Sequence, residues 1–496
     1  MSADTGSVPT AHPETGSTGL TAGETRVVWL LLAAAFVAIL NETTMGIAIP
    51  HLIGDLGITA DAAQWITTAF MLTMAVVIPI TGFLLKRFTT RQIFIAAMSL
   101  FTAGTLIAVA APGFEVLLVA RVVQASGTAI MMPLLMTTLM TVVPPHARGR
   151  MMGRVSIVMA LAPAIGPTLS GFLLDTVGWR WIFGIVLPIA VFSLIAGARW
   201  IQNLGEQTHA PIDVLSVILS AFGFGGLVYG LSQIGAVAQQ SEGTGGAFVA
   251  LLISLGIGTV GLALFFWRQV RLQKVDDALL DLRVFRSRNF SLSVAQLALM
   301  SLAFFGALNV LPLYMQRVLE LPPLEAGLAM LPGSIVMGVL GPIIGRIYDA
   351  RGTQILLIPG AVIVIGMLWF YTTFGEHTSI WLIAGAQTVL SAGLALSFTP
   401  LFTASLGSLE PRFYSYGSAV VGTVQQVAGA AGVALMITVM SAVEASELTA
   451  GASELTAGTL GAHTAFVIAA IVSIPLIVGA VLIRKPADSI GAPMAH

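Results

Sequence analysis

Long apolar runs separated by short polar turns cover most of this chain. They fall at 27–49, 62–85, 92–111, 115–141, 151–173, 181–200, 212–234, 247–267, 290–314, 326–344, 354–374, 380–403, 413–440 and 463–483, fourteen in all. Each is close to the about 20 residues that a helix needs to cross a hydrocarbon layer. An isolated strand in lipid would leave its backbone groups unpaired, whereas a helix satisfies its own. The pattern therefore predicts an all-α integral membrane protein with fourteen transmembrane helices. Residues 1–24 are Ser, Thr, Gly, Pro and Ala with a few acids, and are expected to be a disordered cytoplasmic tail. They lack the basic start and apolar core of a signal peptide.

The turns test this map. If the chain crosses fourteen times, 19 of its 22 Lys and Arg residues fall on one side, Arg180 and Arg317 fall on the other, and Arg121 lies inside a span. Basic loops stay on the cytoplasmic side, so both termini are expected there, in a multi-pass protein of the cytoplasmic membrane. The spans divide into a six-helix bundle at 25–200, two additional helices within 201–267, a cytoplasmic linker at 268–289 and a second six-helix bundle at 290–485, followed by a tail at 486–496. The halves carry a weak repeat. Gly82, Lys86, Arg87 and Arg91 follow the second helix of the first half, and Gly345, Arg346, Asp349, Arg351 and Gly352 follow that of the second. Parallel six-helix repeats mark one large transporter architecture. The stretch 441–462 is expected to be an outer loop, with helix 13 extending into it by a turn or more. It repeats a heptad, Ala445–Gly451 and Ala452–Gly458.

Composition narrows the function. The chain is 56% hydrophobic and 9% charged, with a net charge of −1, so neither a soluble domain nor a nucleic-acid binder fits. It has no cysteine, which removes disulfides and thiolate metal sites. Its three lysines, Lys86, Lys274 and Lys485, are followed by Arg, Val and Pro, so no phosphate-binding loop exists to take a nucleotide. The histidines show no metal-ligand spacing, and no metal site is expected. An enzyme is not indicated, and no cofactor is expected. Work done by such a chain must draw on an ion gradient or a partner subunit.

Charge inside a span costs from about 2.5 kcal/mol upward and so points to function. Glu42 is the one acid well inside a predicted helix, and Arg121 the one base. From the predicted helix ends both lie roughly 10 Å below the outer surface, so they can pair or share a water network if helices 1 and 4 are neighbours. Asn41, Thr67 and Gln124 add polar groups nearby, and Asn309, Gln387 and Gln425 are the polar positions of the later half. Met131, Phe304 and Phe305 are candidates for an adaptable apolar cavity wall. Singly, each of these groups is as readily explained by helix packing. Helix 5 carries Pro163, Gly166, Pro167 and Gly171, which break helical regularity and admit a close neighbour.

These residues resemble the fourteen-helix drug:proton antiporter branch of the major facilitator superfamily, the EmrB/QacA-like group, over about 27–485. Leu40 to Pro50 is similar to the family's first-helix motif, with Asn41 where Asp is commonest and the acid shifted to Glu42. Gly82 to Arg91 matches the loop 2–3 motif, but Lys86 stands where Asp is usual and Thr89 where Gly is usual. The later copy, Gly345, Asp349 and Gly352, is closer to pattern. Arg121 to Gly127 matches the helix 4 motif, in which the Arg assists proton transfer, and Gly153 to Gly171 the helix 5 antiporter motif with Gly166 and Pro167. The resemblance implies the major facilitator fold, in which two bundles rock about a central cavity. It also implies proton-coupled export of drugs or other amphiphiles with Glu42 and Arg121 as the coupling pair, a small amphiphile, protons and the bilayer as partners, and a monomer. Export of a lipid is the nearest alternative, and a receptor that binds without transport the more distant one.

Overall fold

The computed structural model describes residues 21–203, 213–239 and 245–486. Among them the helices are α1 (Ala22–Leu56), α2 (Ala60–Arg87), α3 (Thr90–Val109), α4 (Phe114–Val142), α5 (Arg148–Thr176), α6 (Arg180–Trp200), α7 (Val214–Gln239), α8 (Gly245–Leu272), α9 (Arg288–Arg317), α10 (Pro323–Arg351), α11 (Gln354–Tyr371), α12 (Ile380–Gly407), α13 (Tyr414–Thr449), α14 (Glu454–Ser473) and α15 (Leu476–Leu482). Among the described residues, fourteen spans are long and apolar enough to cross a membrane. The last is made by α14 and α15, interrupted next to Pro475, which supplies no backbone N–H. The terminal tails expected at 1–24 and 486–496 lie outside the described residues except at 21–24 and 486, and the start of the segment 201–267 is described only to 203.

Helix boundaries depart from the apolar pattern where caps decide them. α1 begins at Ala22 rather than 27 because Thr21 accepts from the Glu24 amide while the Glu24 carboxylate accepts from the Thr21 amide. It also runs on to Leu56, where Gly57 takes a left-handed conformation. The stretch 441–462 is mostly helix, not loop: α13 continues to Thr449 and α14 starts at Glu454. The expected linker 268–289 is also more than a polar tether. Ala278, Leu279, Leu280 and Val284 are buried, and Asp281 caps a short 3-10 turn through the Arg283 amide.

α1 to α6 pack among themselves, as do α9 to α15. The two groups meet along two seams, α2 with α13 and α5 with α10, and α4 and α5 also touch α13 and α12. α7 and α8 pair with each other, and α7 lies against both α2 and α13. The added hairpin therefore flanks one seam and leaves the other uncovered by it. Tyr229 of α7 stacks on Trp65 of α2 with ring centroids 5.5 Å apart. At the basic ends of the hairpin Asp213 takes both Nε and Nη2 of Arg268, at 2.7 and 2.8 Å. The hydrogen bond from Arg268 holds the Asp213 carboxyl below the usual carboxylate range.

Candidate functional site

Arg121 is the centre of a built polar chain. It is 1% exposed. Its Nη1 donates to Gln124 Oε1 at 2.8 Å, one helical turn further along α4. Gln124 Nε2 in turn donates to Thr105 Oγ1 on α3 at 2.8 Å, and Thr105 donates to the Phe101 carbonyl. The guanidinium lies over the Phe70 ring of α2, 4.0 Å from its centroid. Three helices thus fix one planar cation, and the face on Phe70 uses a contact that Lys would make less well.

Glu42 is half-buried on α1, which packs on α4. It makes no salt bridge with Arg121; the ion pairs among the described residues lie elsewhere. Each is nevertheless the charged neighbour that acts on the other. Both amide atoms of Asn41, Thr67 Oγ1 and Arg121 Nε are buried with no partner in the protein. Unpaired buried polar atoms cost about 1–3 kcal/mol each. Others lie elsewhere in the fold, but those on α1, α2 and α4 give the helices that carry or adjoin the two charges unused hydrogen-bonding capacity.

The second half repeats part of this arrangement without its charges. Gln387 of α12 is buried and accepts from the Tyr371 hydroxyl of α11, as Gln124 of α4 reaches Thr105 of α3. Phe304 and Phe305 of α9 are half-buried, 5.2 Å apart, and Phe304 meets the buried Phe398 edge-on. Phe305 packs on Gly429 of α13. Asn309 is exposed, with its Nδ2 donating to the Phe305 carbonyl, and Gln425 is half-buried on α13. Met131 sits instead in the packed core at 1% exposure.

The seams close at their basic ends. Asp349, on the last turn of α10, accepts from the Gly149 and Arg150 amides at 2.7 and 2.8 Å and so caps the start of α5 from the opposite half. Gly345 faces Gly149 so closely that an added Cβ would lie 2.1 Å from the Gly149 carbonyl oxygen. Gly82 approaches Ser415 and Ala419 of α13 in the same way, and Gly166 approaches Thr43 of α1. Lys86 takes the place corresponding to Asp349 at the other seam, where a cation would face the positive start of α13. It lies 5.2 Å from the Tyr416 ring centroid, and Asp276 of the linker is a charged neighbour. Tyr416 also donates to the Ala278 carbonyl, which ties the linker to this seam. Arg87 is near the Phe88 ring, Arg91 Nη2 donates to the Ala198 carbonyl, and Gly352 ends α10 at a positive φ of 85°. The backbone of Pro167 continues α5, and its side chain lies outside the described residues.

Phe70 and Thr105 are not legible as site residues in the sequence, since an aromatic and a hydroxyl in apolar helices carry no signal of their own. The capping role of Asp349 was equally hidden, because its partners are backbone amides 199 and 200 residues away. Among the described residues no cluster of three or more His or acidic side chains could hold a metal.

A family model described as Major Facilitator Superfamily matches residues 31–215 and 212–433. The chain is 41% identical to the "Uncharacterized MFS-type transporter YcnB" of Bacillus subtilis (strain 168), over 93% of this chain and 95% of that protein. It is 38% identical to the lincomycin resistance protein LmrB of Listeria monocytogenes, over 92% of this chain and 96% of that one. Among solved structures it is similar to the human organic anion transporter MFSD10, with a TM-score of 0.61 and 13% identity over 91% of this chain and 99% of that one, a likeness of fold.

Proposed function

Because this chain belongs to the major facilitator superfamily, we propose that it is a proton-coupled antiporter that exports drugs or other small amphiphiles across the cytoplasmic membrane by alternating access. The observation that carries this reading is Glu42, a half-buried acid beside an immobilised Arg121 that it does not touch. A carboxylate locked to a guanidinium would stay ionised through a cycle. One held a short way off can gain or lose a proton when the helices shift, because an apolar surround favours the acid and a nearby cation its conjugate base. Gln124, Thr105 and Phe70 keep the cation in place while α1 moves against it. Asn41 and Thr67 offer unsatisfied groups to a substrate, and the Phe304, Phe305 and Phe398 rings offer it an apolar wall. The resistance function in the name of LmrB favours a drug-like cargo.

The gradient supplies about 2.3 kcal/mol per charge per 100 mV and about 1.4 per pH unit. One proton can thus support an uphill gradient of one to two decades or more. Glu42→Gln should abolish pH-driven uphill export from proteoliposomes while substrate binding to the purified protein persists. Full gradient-driven export by that variant would remove Glu42 from the mechanism.

A further inference from the structure

The basic ends of α1, α3 and α6 enclose a cleft of about 380 Å³ that the transport reading leaves unused. Arg26, Arg91 and Arg199 all line it, together with Trp200, Gln202 and Asn203. Arg91 is anchored to the Ala198 carbonyl at the end of α6. Among the described residues no carboxylate forms an ion pair with any of the three. The nearest acid in sequence, Glu24, is engaged by the Thr21 amide and hydroxyl and does not line the cleft. Three like charges gathered in one small cleft repel one another, and an anion placed between them relieves that cost.

We propose that this cleft binds the phosphate of an anionic phospholipid. Guanidinium forks match phosphate oxygens two at a time, which favours phosphate over a halide. The surface leading away from the cleft favours a lipid over a free ion. Ile189, Phe192 and Ile195 are exposed on α6 at spacings of three that place them on one helical face with Arg199. An acyl chain can lie along this stripe with its headgroup among the arginines. Trp200 and Trp29, both about half exposed, stand at the level where aromatic side chains meet lipid headgroups. Basic pockets between transmembrane helices are a known way to hold acidic headgroups. The bound lipid would tie the ends of α1, α3 and α6 to one leaflet. Because α1 also carries Glu42, the bilayer's acidic lipid content would bear on the helix we place at the centre of coupling.

The test uses the full-length protein in detergent, with native mass spectrometry of bound phosphatidylglycerol against phosphatidylcholine of the same acyl chains. Phosphatidylglycerol should bind at least about tenfold more tightly, and each of Arg26→Gln and Arg199→Gln should cost about fivefold of that preference. Arg271→Gln, which changes a basic-side arginine stacked on Trp267 away from the cleft, should leave it intact. Millimolar inorganic phosphate should not displace the lipid. Equal binding of the two lipids would overturn the proposal, as would an undiminished preference in the Arg26→Gln/Arg199→Gln double variant. An equal loss in Arg271→Gln would make the effect one of general surface charge. Full displacement by inorganic phosphate would make the cleft a free-anion site. Unchanged elution and melting of each variant establish that it is folded, and the readout does not depend on transport.

Discussion

Arg121 is a planar cation with one face and part of its edge in use. Phe70 takes one face, Gln124 takes Nη1, and Nε keeps an unused donor. Removing the side chain by Arg121→Ala takes away the positive neighbour of Glu42, so the pH profile of export should move to higher pH and the maximal rate should fall. Arg121→Lys keeps the charge but loses the fork, and should be partly active. Thr105→Val removes the far support of Gln124, leaving its buried Nε2 unpaired at a cost of about 1–3 kcal/mol. It should lower coupling without ending substrate binding. Export by the Ala and Lys variants at the parent rate, measured in proteoliposomes across pH 6 to 8, would sever Arg121 from coupling. Glu42 and Arg121 stood out in the sequence because charge in an apolar run is rare and costly. The expected depths, however, rested on α1 ending near 49, and it ends at Leu56. That the two charges act on each other comes from the packing of α1 on α4, which no local pattern encodes.

Elements follow the apolar pattern in number and order and depart from it in extent, because backbone caps and tertiary contacts set the ends. The repeated heptad makes this plain. In the first copy Ser446, Glu447 and Leu448 are helical, and Gly451 turns the chain at a φ of 90°. In the second copy the matching Ser453 is the N-cap of α14, and the matching Gly458 lies inside that helix, buried against Val318. One sequence ends a helix and begins the next, so its two fates are decided by what each copy packs on. The same holds at the basic ends of the seams, where Asp349 crosses to cap α5 while Lys86 at the matching place leans on Tyr416 and has Asp276 of the linker as a charged neighbour. Asp349→Asn removes the charge from that cap but keeps one acceptor. It should weaken the closed basic end of the α5–α10 seam by about 1 kcal/mol and raise the labelling of a cysteine placed there. Unchanged labelling would mean that glycine-to-glycine packing alone holds this end shut.

Over the whole molecule the two halves hold together toward their basic ends. Along α5 and α10 the close approaches run from Gly149 with Gly345, through Gly153 with Gly341, to Ala160 with Gly338. Farther out, Gly171 of α5 and Gly327 of α10 have nothing within 4 Å of an added Cβ. Side-chain ties between halves, among them Thr137 with Ser418, Ser156 with Thr399 and Arg148 with Tyr414, also belong to the basic half of the seams. If the proposed cycle opens the opposite way, these ties must break while the outer ends of α5 and α10 come together. The chain has no cysteine, so a pair can be introduced cleanly. Ser156 Oγ and Thr399 Oγ1 are 2.6 Å apart, close enough that the Ser156→Cys/Thr399→Cys variant should form a disulfide on oxidation. The oxidised protein should still bind substrate from the outer side but should not export, and reduction should restore transport. The Gly171→Cys/Gly327→Cys variant should cross-link poorly in the conformation described here, and more readily in protein that is turning over. Undiminished export by the oxidised Ser156→Cys/Thr399→Cys protein would mean that this seam stays shut throughout transport, and the path of the cargo would then have to run elsewhere, with the α2–α13 seam beside α7 as the remaining boundary between the halves.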